Sequence, residues 1–301
     1  MNALHDVPAP AKLNLFLHVV GRRADGYHLL QSLFVLIDWC DTLHFERRAD
    51  GRLHRHDLGA ALPADDLCLR AARLLQTASG TSLGADISIL KSVPSGAGMG
   101  GGSSDAATTL LALNRLWALG WPRDRLAALG LDLGADVPFF VGGHNALVEG
   151  IGERLTPVPV PRQWLAVLKP AAGIETRVVF ASPLLVRNTR TAILESFAAN
   201  APQGLLTPGF GANDLQAAAE AECLEVAQAA AMLQRRFGNS RMTGSGSAVF
   251  ARVGEGSEPA PPGSGLTSRE WPVSAELPAG WVARMCRSLD AHPLKGWAAD
   301  C

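Results

Sequence analysis

A glycine-rich stretch at residues 94–105, PSGAGMGGGSSD, constrains this chain more than any other feature, because it places five glycines within seven residues. An apolar, strand-like segment, ADISILKSVP, precedes it, and a segment with helical spacing of its apolar residues, SSDAATTLLALNRLWALG, follows it. Glycine costs backbone entropy, so a cluster is retained where positive φ angles or close approach to a ligand are needed. A strand, a glycine loop and a helix N-terminus together direct main-chain N–H groups and the helix dipole at an anion. The stretch therefore predicts a phosphate-binding loop.

Three other interpretations of this loop fit less well. A P-loop requires lysine and then Ser or Thr directly after its last glycine, whereas this loop continues as GGGSSD. Gly96, Gly98 and Gly101 match the dinucleotide pattern G-x-G-x-x-G, but a second helical pattern follows the first, rather than a strand ending in Asp or Glu. A flexible linker would not lie between an apolar strand and a helix that Ser103 or Ser104 is expected to cap.

Composition sets the broad class of protein. With 301 residues, of which 48% are hydrophobic, the chain can bury a large core in two domains or one. Its 27 basic and 28 acidic residues favour neither nucleic acid nor an anionic membrane as a partner. The five cysteines form no C-x-x-C pair and no histidine has metal-ligand spacing, so we expect no metal site in the protein and a reducing compartment. The N-terminus has no signal-peptide pattern and no apolar run is long enough to cross a membrane, which predicts a cytoplasmic protein.

Periodicity predicts the other elements. The order KLNLFLHVV, residues 12–20, alternates as in a strand, with Leu13, Leu15, Leu17 and Val19 on one face and Lys12, Asn14, Phe16 and His18 on the other. An Asp-Gly turn then predicts a hairpin. Further expectations are helices over 65–79, 103–120, 123–134 and 213–237, an apolar strand after Asp136, a loop over 173–180, a Gly/Ser turn leading into a strand within 241–253, and a mobile loop over 254–268. Three prolines within residues 156–164 suggest a domain boundary.

Four motifs, taken together, resemble the GHMP superfamily, named for its galactose, homoserine, mevalonate and phosphomevalonate kinases. In chain order they are PAKLNLFLHVVGRRADGYHLLQS, PSGAGMGGGSSDAATTLLALN, LGADVPFFVGGHNALVEGIGERLTPV and MTGSGSAVF. The resemblance covers nearly the whole chain. It implies an α+β, two-domain GHMP kinase fold, with a ribosomal S5-like, ATP-binding domain at residues 1–157 and an α/β C-terminal domain at residues 158–301. The active site would lie in the interdomain cleft.

The resemblance also implies what each motif does. ATP, accompanied by Mg²⁺, is expected at Pro94, Ser95, Gly96, Ala97, Gly98, Met99, Gly100, Gly101, Gly102, Ser103 and Ser104. Asp136 is matched to the catalytic base, and Lys12 to a lysine that keeps this base ionised, since a cation within about 4–6 Å favours a carboxylate. The motifs best match those kinases of the superfamily whose small-molecule substrate carries a cytidine diphosphate group. Their pocket residues are matched by Asn14, Tyr27, His28, Thr176 and Phe180, and Tyr27 could stack on the base.

Three rival functions stay open at this point. Another kinase of the same superfamily, such as a homoserine or mevalonate kinase, would share the glycine loop, but the pair Tyr27-His28 favours the cytidine substrate. A nicotinamide-dependent oxidoreductase would use the literal G-x-G-x-x-G. A non-catalytic RNA-binding module is a third alternative because the S5-like fold also occurs in ribosomal proteins, but the balanced charge argues against it. The chain is expected to act as a monomer or a homodimer.

Overall fold

A computed structural model describes residues 1–191, 211–255 and 277–300. The first half contains the strands β1 (Ala3–Arg22), β2 (His28–Arg48), β3 (Leu53–Asp57), β4 (Gly84–Leu90), β5 (Ala146–Gly150) and β6 (Arg154–Pro157), with the helices α1 (Leu67–Ser79), α2 (Gly101–Leu116), α3 (Arg123–Leu131) and α4 (Val137–Gly142). The second half contains the strands β7 (Gln163–Lys169), β8 (Arg241–Met242), β9 (Val249–Glu255) and β10 (Val282–Arg287), the helices α5 (Thr176–Ala181), α6 (Gln216–Glu222) and α7 (Leu224–Phe237), and a short 3₁₀ turn at Lys295–Trp297.

The strands form two sheets. The first sheet has the order β3-β4-β2-β5-β6, and β1 pairs with β2 as the predicted hairpin. All its pairs are antiparallel except β3 with β4. The second sheet has the order β10-β7-β9-β8 and is antiparallel throughout. Helices and antiparallel strands in separate layers are typical of an α+β fold, which confirms the fold class predicted from the sequence.

The two sheets share a hydrophobic core. Leu13 and Val35 of the first sheet pack with Leu165, Val167 and Phe250 of the second. A separate core lies between the first sheet and helices α1 and α2, and a third lies between the second sheet and α6 and α7. The interior of the protein therefore continues across the predicted boundary, and the division into residues 1–157 and 158–301 stays a prediction.

The C-terminal segment also crosses this boundary. Leu294 is buried in the core of the first half, beside α2 and α4. The main-chain N–H of Arg123 donates to the carbonyl of Ala299, and His144 forms an isolated β-bridge with Ala291. The end of the described chain thus packs on the half of the protein that contains the glycine loop.

Some predicted elements were wrong. Residues 137–142 form helix α4 and not a strand: Pro138 stands in the first turn, where its fixed φ suits a helix, and Gly143 ends the helix at φ +74°. Residues 176–181 form helix α5 and not a loop, and they bury Val179. The helix predicted over 213–237 is two helices, because Cys223 is extended and lets each helix bury its own apolar face.

The alternation predicted for β1 holds only in part. Register shifts interrupt the pairing of β1 with β2 between Pro10 and Lys12 and between Asn14 and Leu17. A bulge adds a residue to one strand, so side chains beyond it change face. Phe16 consequently packs in the same core as Leu13, and Leu17 lines the same cavity as Lys12 and Asn14.

Two further expectations concern the remaining chain. Of the loop predicted over 254–268, residues 256–268 lie outside the described residues. In the described part of the chain, no helix combines the length and the apolar character that crossing a membrane requires.

Candidate active site

The glycine loop has the backbone that its sequence predicts. Gly96, Gly98 and Gly100 have φ angles of +62°, +72° and +69°, in the left-handed region that side chains rarely adopt. Gly100 is the N-cap of α2 and makes no side-chain capping hydrogen bond, and Gly101 and Gly102 of the first turn line the loop's hollow. This hollow, of about 200 Å³, is lined by Lys91, Val93 and all residues from Pro94 to Gly102. It is a cradle of main-chain donors suited to a polyphosphate.

The serines that follow the loop behave differently from the prediction. Neither Ser103 nor Ser104 caps α2, since the helix begins earlier, at Gly101. The hydroxyl of Ser104 is buried and donates to the carbonyl of Pro10 at 2.7 Å, which ties the helix to β1. Ser103 is partly exposed, and its Oγ lies beside Gly134, two residues before Asp136. Of the two hydroxyls, that of Ser103 is the one left for a ligand.

An ion triad, Lys91 with Asp41 and Asp105, fastens both ends of the glycine loop. Lys91 Nζ contacts both carboxylates, one from β2 and one from α2. Asp41 also accepts the main-chain N–H groups of Ser92 and Val93, at 2.5 and 2.8 Å, just before the loop. Burial raises the pKa of Asp105, and the ammonium of Lys91 opposes that rise. The loop therefore starts and ends on one buried ionic cluster.

A second glycine turn, in the MTGSGSAVF motif, packs directly against the loop. The N–H groups of Ser247 and Ala248 donate to the carbonyls of Gly96 and Ala97, each at 3.2 Å. A Cβ built on Gly98 would lie only 2.3 Å from the carbonyl oxygen of Thr243, so no side chain fits there. The two halves of the chain thus meet main chain to main chain beside the phosphate cradle.

Lys12 and Asp136 form the centre of the site. Lys12 Nζ lies 3.5 Å from Asp136 Oδ2 and 2.7 Å from Asn14 Oδ1. The ammonium stands over the ring of Phe34, 4.2 Å from its centroid, an arrangement in which a cation is attracted by the ring. Burial lowers the pKa of Lys12, and the carboxylate of Asp136 acts in the opposite direction. Asp136 keeps 29% of its side chain exposed, so one side of the pair is open to a ligand.

Lys12 and Asp136 are each positioned by a specific element of the fold. Lys12 follows the register shift after Pro10, and its main-chain N–H donates to the carbonyl of Met99 in the glycine loop at 3.0 Å. Asp136 is the N-cap residue of α4 but makes no capping hydrogen bond, which leaves its carboxylate directed away from the helix. Asn14 is held between Ser32 and Thr243, through bonds of 2.8 and 2.9 Å, and so fixes the position of the lysine.

Two adjoining cavities lie beside this pair. The first, of about 270 Å³, is lined by Lys12, Asn14, Leu17, Leu30, Ser32, Phe34, Gly98, Gly100, Asp136, Val148, Ile151, Gly152, Thr176, Phe180, Leu215, Gly244 and Ser245. The second, of about 560 Å³, is lined by Arg22, Asp25, Gly26, Tyr27, His28, Leu30, Ile151 and Phe180. The cavities share Leu30, Ile151 and Phe180, and the first shares Gly98 and Gly100 with the phosphate cradle. A path therefore runs from the cradle past Lys12 and Asp136 to the hairpin.

The structure places the sequence-predicted substrate residues along this path. Asn14, Thr176 and Phe180 line the first cavity, and the hydroxyl of Thr176 bonds that of Ser245 at 2.7 Å. Tyr27 and His28 line the second cavity, where His28 stacks on Phe180 with ring centroids 4.9 Å apart. Tyr27 has 61% of its surface exposed at the tip of the hairpin, so its ring is open to a stacking partner.

Sequence reasoning missed several residues of the site. They are Phe34 under Lys12, Ser32 and Thr243 around Asn14, and the ion triad Lys91, Asp41 and Asp105. Ser32 and Thr243 lie inside quoted motifs, so the motifs themselves were a signal for them. Phe34 carries no such signal, since an apolar residue of β2 is explained by the core alone, whereas the carboxylate of Asp41 in an otherwise apolar segment was itself a signal.

The fold and these paired glycine turns define a kinase of the GHMP class, and comparisons with known proteins agree. Residues 66–144 match the family model of the GHMP kinases N terminal domain. The 4-diphosphocytidyl-2-C-methyl-D-erythritol kinase of Methylibium petroleiphilum is 66% identical over 298 residues, which is 99% of this chain and 99% of that protein. The chain belongs to the 4-diphosphocytidyl-2-C-methyl-D-erythritol kinase family.

Solved structures support the same assignment. The crystal structure of a 4-(cytidine 5'-diphospho)-2C-methyl-D-erythritol kinase has a TM-score of 0.70 and 35% identity, and the match covers 84% of this chain and 90% of that one. A homoserine kinase from Cytophaga hutchinsonii has a TM-score of 0.63, covering 85% of this chain and 86% of that one. At 15% identity, that second likeness concerns the fold alone.

Proposed function

We propose that this chain transfers the terminal phosphoryl group of ATP to the 2-hydroxyl of 4-diphosphocytidyl-2-C-methyl-D-erythritol, giving ADP and the 2-phosphate. This is a step in the non-mevalonate route to isoprenoid precursors. The observation that carries the proposal is the Lys12–Asp136 pair at the point where the phosphate cradle opens into the two cavities. The names of the relatives and of the solved kinase support the choice of substrate.

The chemistry follows from the positions of these groups. A kinase must hold the phosphates, neutralise charge that develops on the transferred group and orient an acceptor hydroxyl in line with it. The main-chain N–H groups of the loop from Ser95 to Gly102 hold the phosphates. Asp136 accepts the proton of the hydroxyl as the oxygen attacks, and Lys12 keeps that carboxylate ionised and stabilises negative charge on the oxygen. Asn14 holds the lysine in place.

Mg²⁺ is proposed to enter with ATP. Mg²⁺ keeps several of its waters and is bound by one or two protein oxygens together with substrate phosphates. In residues 1–191, 211–255 and 277–300, no group of three or more His, Cys, Asp or Glu side chains could cage a metal, so the donor set fits an ion carried by the phosphates. The hydroxyl of Ser103, just after the loop, and the carboxylate of Asp136, in the adjoining cavity, would complete its ligands while it neutralises phosphate charge.

The remaining parts of the proposal concern partners and location. The substrate is a small molecule, with its cytosine held at Tyr27, His28 and Phe180 and its erythritol near Asn14 and Thr176. We propose no nucleic-acid or membrane partner, a monomeric or homodimeric enzyme, and a cytoplasmic location.

The test is a substitution of Asp136 combined with a panel of acceptors. Asp136→Asn should lower kcat by about 10²–10⁴-fold, the usual contribution of a positioned base, while the affinity for an ATP analogue is nearly unchanged. Asp65→Asn is the matched control, because Asp65 is an exposed carboxylate paired with Arg73 before α1. Coupled ADP release should be seen with the cytidine substrate and not with homoserine or mevalonate. Turnover of Asp136→Asn at the wild-type rate would remove Asp136 from the mechanism. Turnover with homoserine and not with the cytidine substrate would show that the proposed substrate is wrong.

A further inference from the structure

Arg187 lies on the segment that follows α5 and reaches back to the hairpin cavity. Its Nε donates to Nε2 of His28 at 3.2 Å. Its two terminal nitrogens donate to the carbonyls of Leu185, Phe180 and Ser182, at 3.0, 3.1 and 3.0 Å. One guanidinium therefore connects the histidine of the hairpin to the end of the helix that carries Phe180, with which the histidine stacks.

The chemistry of this contact fixes the protonation of His28. A guanidinium is only a donor and does not lose its proton in proteins, so the nitrogen that faces it must offer a lone pair. Nε2 of His28 is consequently unprotonated, and the ring is neutral with its proton on Nδ1. The surroundings of His28 also favour the neutral ring. Desolvation lowers the pKa of His28, and the positive charges of Arg187 and Arg22 lower it further. Asp25 also lines this cavity, but it pairs with Arg23 at 2.7 Å.

This protonation state distinguishes between pyrimidines. Cytosine carries a lone pair on N3, whereas uracil carries a hydrogen there, and bases are read by hydrogen bonds to this edge once they are stacked on aromatic rings. A ring that can only donate from Nδ1 forms a hydrogen bond with the lone pair of cytosine N3. With uracil, the Nδ1–H would face the N3–H, and two donors form no hydrogen bond. With the proton on Nε2, the same ring would accept from uracil instead.

We propose that Arg187 is a positioning residue that holds His28 as the neutral Nδ1–H donor and thereby makes this pocket select cytosine over uracil. The inference rests on the proposed function, because it assumes that the base of the substrate occupies the cavity of Tyr27, His28 and Phe180. Arg187 itself touches no reacting atom. It acts through His28, and through the carbonyls that keep Phe180 against that ring.

The test begins with the wild-type protein. Two-bond ¹H–¹⁵N correlation of the His28 ring, assigned with His28→Gln, should show the Nδ1–H tautomer. Arg187→Met should make the Nε2–H tautomer visible and move the pKa of His28 upward, because a neighbouring positive charge is removed. Arg187→Lys keeps a donor and should restore most of the Nδ1–H signal. Arg190→Met is the matched control, since Arg190 is an exposed arginine three residues further along the same segment.

Kinetics supply the functional readout. Arg187→Met should raise KM for the cytidine substrate about tenfold with kcat within about twofold. The preference for this substrate over its uridine analogue should fall at least tenfold, within the range of one hydrogen-bonded base contact. A merely structural arginine would change KM for both substrates equally and would leave the tautomer of His28 unchanged.

The possible outcomes distinguish a failure of this inference from a failure of the proposed function. An Nε2–H tautomer in an active wild-type enzyme, or an unchanged preference for cytosine in a folded Arg187→Met, would overturn this inference and leave the proposed function intact. Absence of turnover with the cytidine substrate in the wild-type enzyme would overturn both.

Discussion

The close approach of Gly98 to the second glycine turn permits a sharp test of how the two halves of the site are held together. Gly98 and Gly96 both have positive φ angles, +72° and +62°, so alanine at either position pays the same strain of about 1–2 kcal/mol. Their surroundings differ. A Cβ on Gly96 meets no heavy atom within 4 Å, whereas a Cβ on Gly98 meets the carbonyl oxygen of Thr243 at 2.3 Å.

The expected loss of activity in Gly98→Ala follows from that distance. An ordinary van der Waals contact begins at 3.4 Å, so Gly98→Ala must move the two loops apart by about 1.1 Å. Thr243 holds Asn14, and Asn14 holds Lys12, so the displacement reaches the Lys12–Asp136 pair. A misplacement of about 1 Å costs roughly 10²-fold in rate. We expect Gly96→Ala to lose no more than about tenfold in kcat/KM and Gly98→Ala to lose about 10²-fold beyond that.

The assay is ADP release at varied concentrations of both substrates, with urea denaturation of each variant. Gly80→Ala serves as the remote control, because Gly80 has a φ of +68° and open space at the end of α1. It should lose stability like Gly96→Ala and keep its activity. If Gly98→Ala were as active as Gly96→Ala, the contact between the two glycine turns would not set the geometry of the active site.

Two other predictions concern buried charges. Asp41→Ala should lower the free energy of unfolding by about 3–5 kcal/mol, as expected when one partner of a buried ion pair is removed, and urea denaturation beside the exposed control Asp65→Ala will measure it. The pH profile of kcat should fall on the alkaline side at a pH below the pKa of a free lysine, because burial lowers the pKa of Lys12 and the neutral amine no longer stabilises negative charge on the attacking oxygen. Asp136→Asn removes the carboxylate that raises this pKa, so the midpoint should move lower still; an unmoved midpoint would assign the limb to another group.

Local chemistry explains which parts of the structure were predictable. The glycine loop was predicted because positive φ angles and close approach both demand glycine, and both are found at Gly98. The common direction of Lys12 and Asn14 was predicted because a strand repeats every second residue. The predicted alternation of side chains fails beyond Asn14. A bulge there depends on the register of the partner strand and leaves no mark in the sequence of β1. Likewise, VPFFVG is too short to distinguish a buried helix from a buried strand by period alone.

Contacts between distant parts of the chain explain what was missed. Arg187 and His28 are 159 positions apart, and each taken alone is an ordinary polar residue beside a turn. The ion triad joins Asp41 of β2, Lys91 of the segment after β4 and Asp105 of α2, so no spacing rule could connect them. Such contacts exist only once the core has placed the elements, and they act on the site through geometry rather than through a motif.

The two ends of the candidate site differ in the kind of group that they offer to a ligand. At the cradle the donors are main-chain amides, which any sequence with the right glycines supplies. At the hairpin the lining consists of side chains, above all Tyr27, His28 and Phe180. Side chains can be exchanged without altering φ angles or the shared core. Under the proposed function, selection of the acceptor therefore lies in the β1–β2 turn and in the segment from Thr176 to Arg187, and the loop glycines serve the phosphate end.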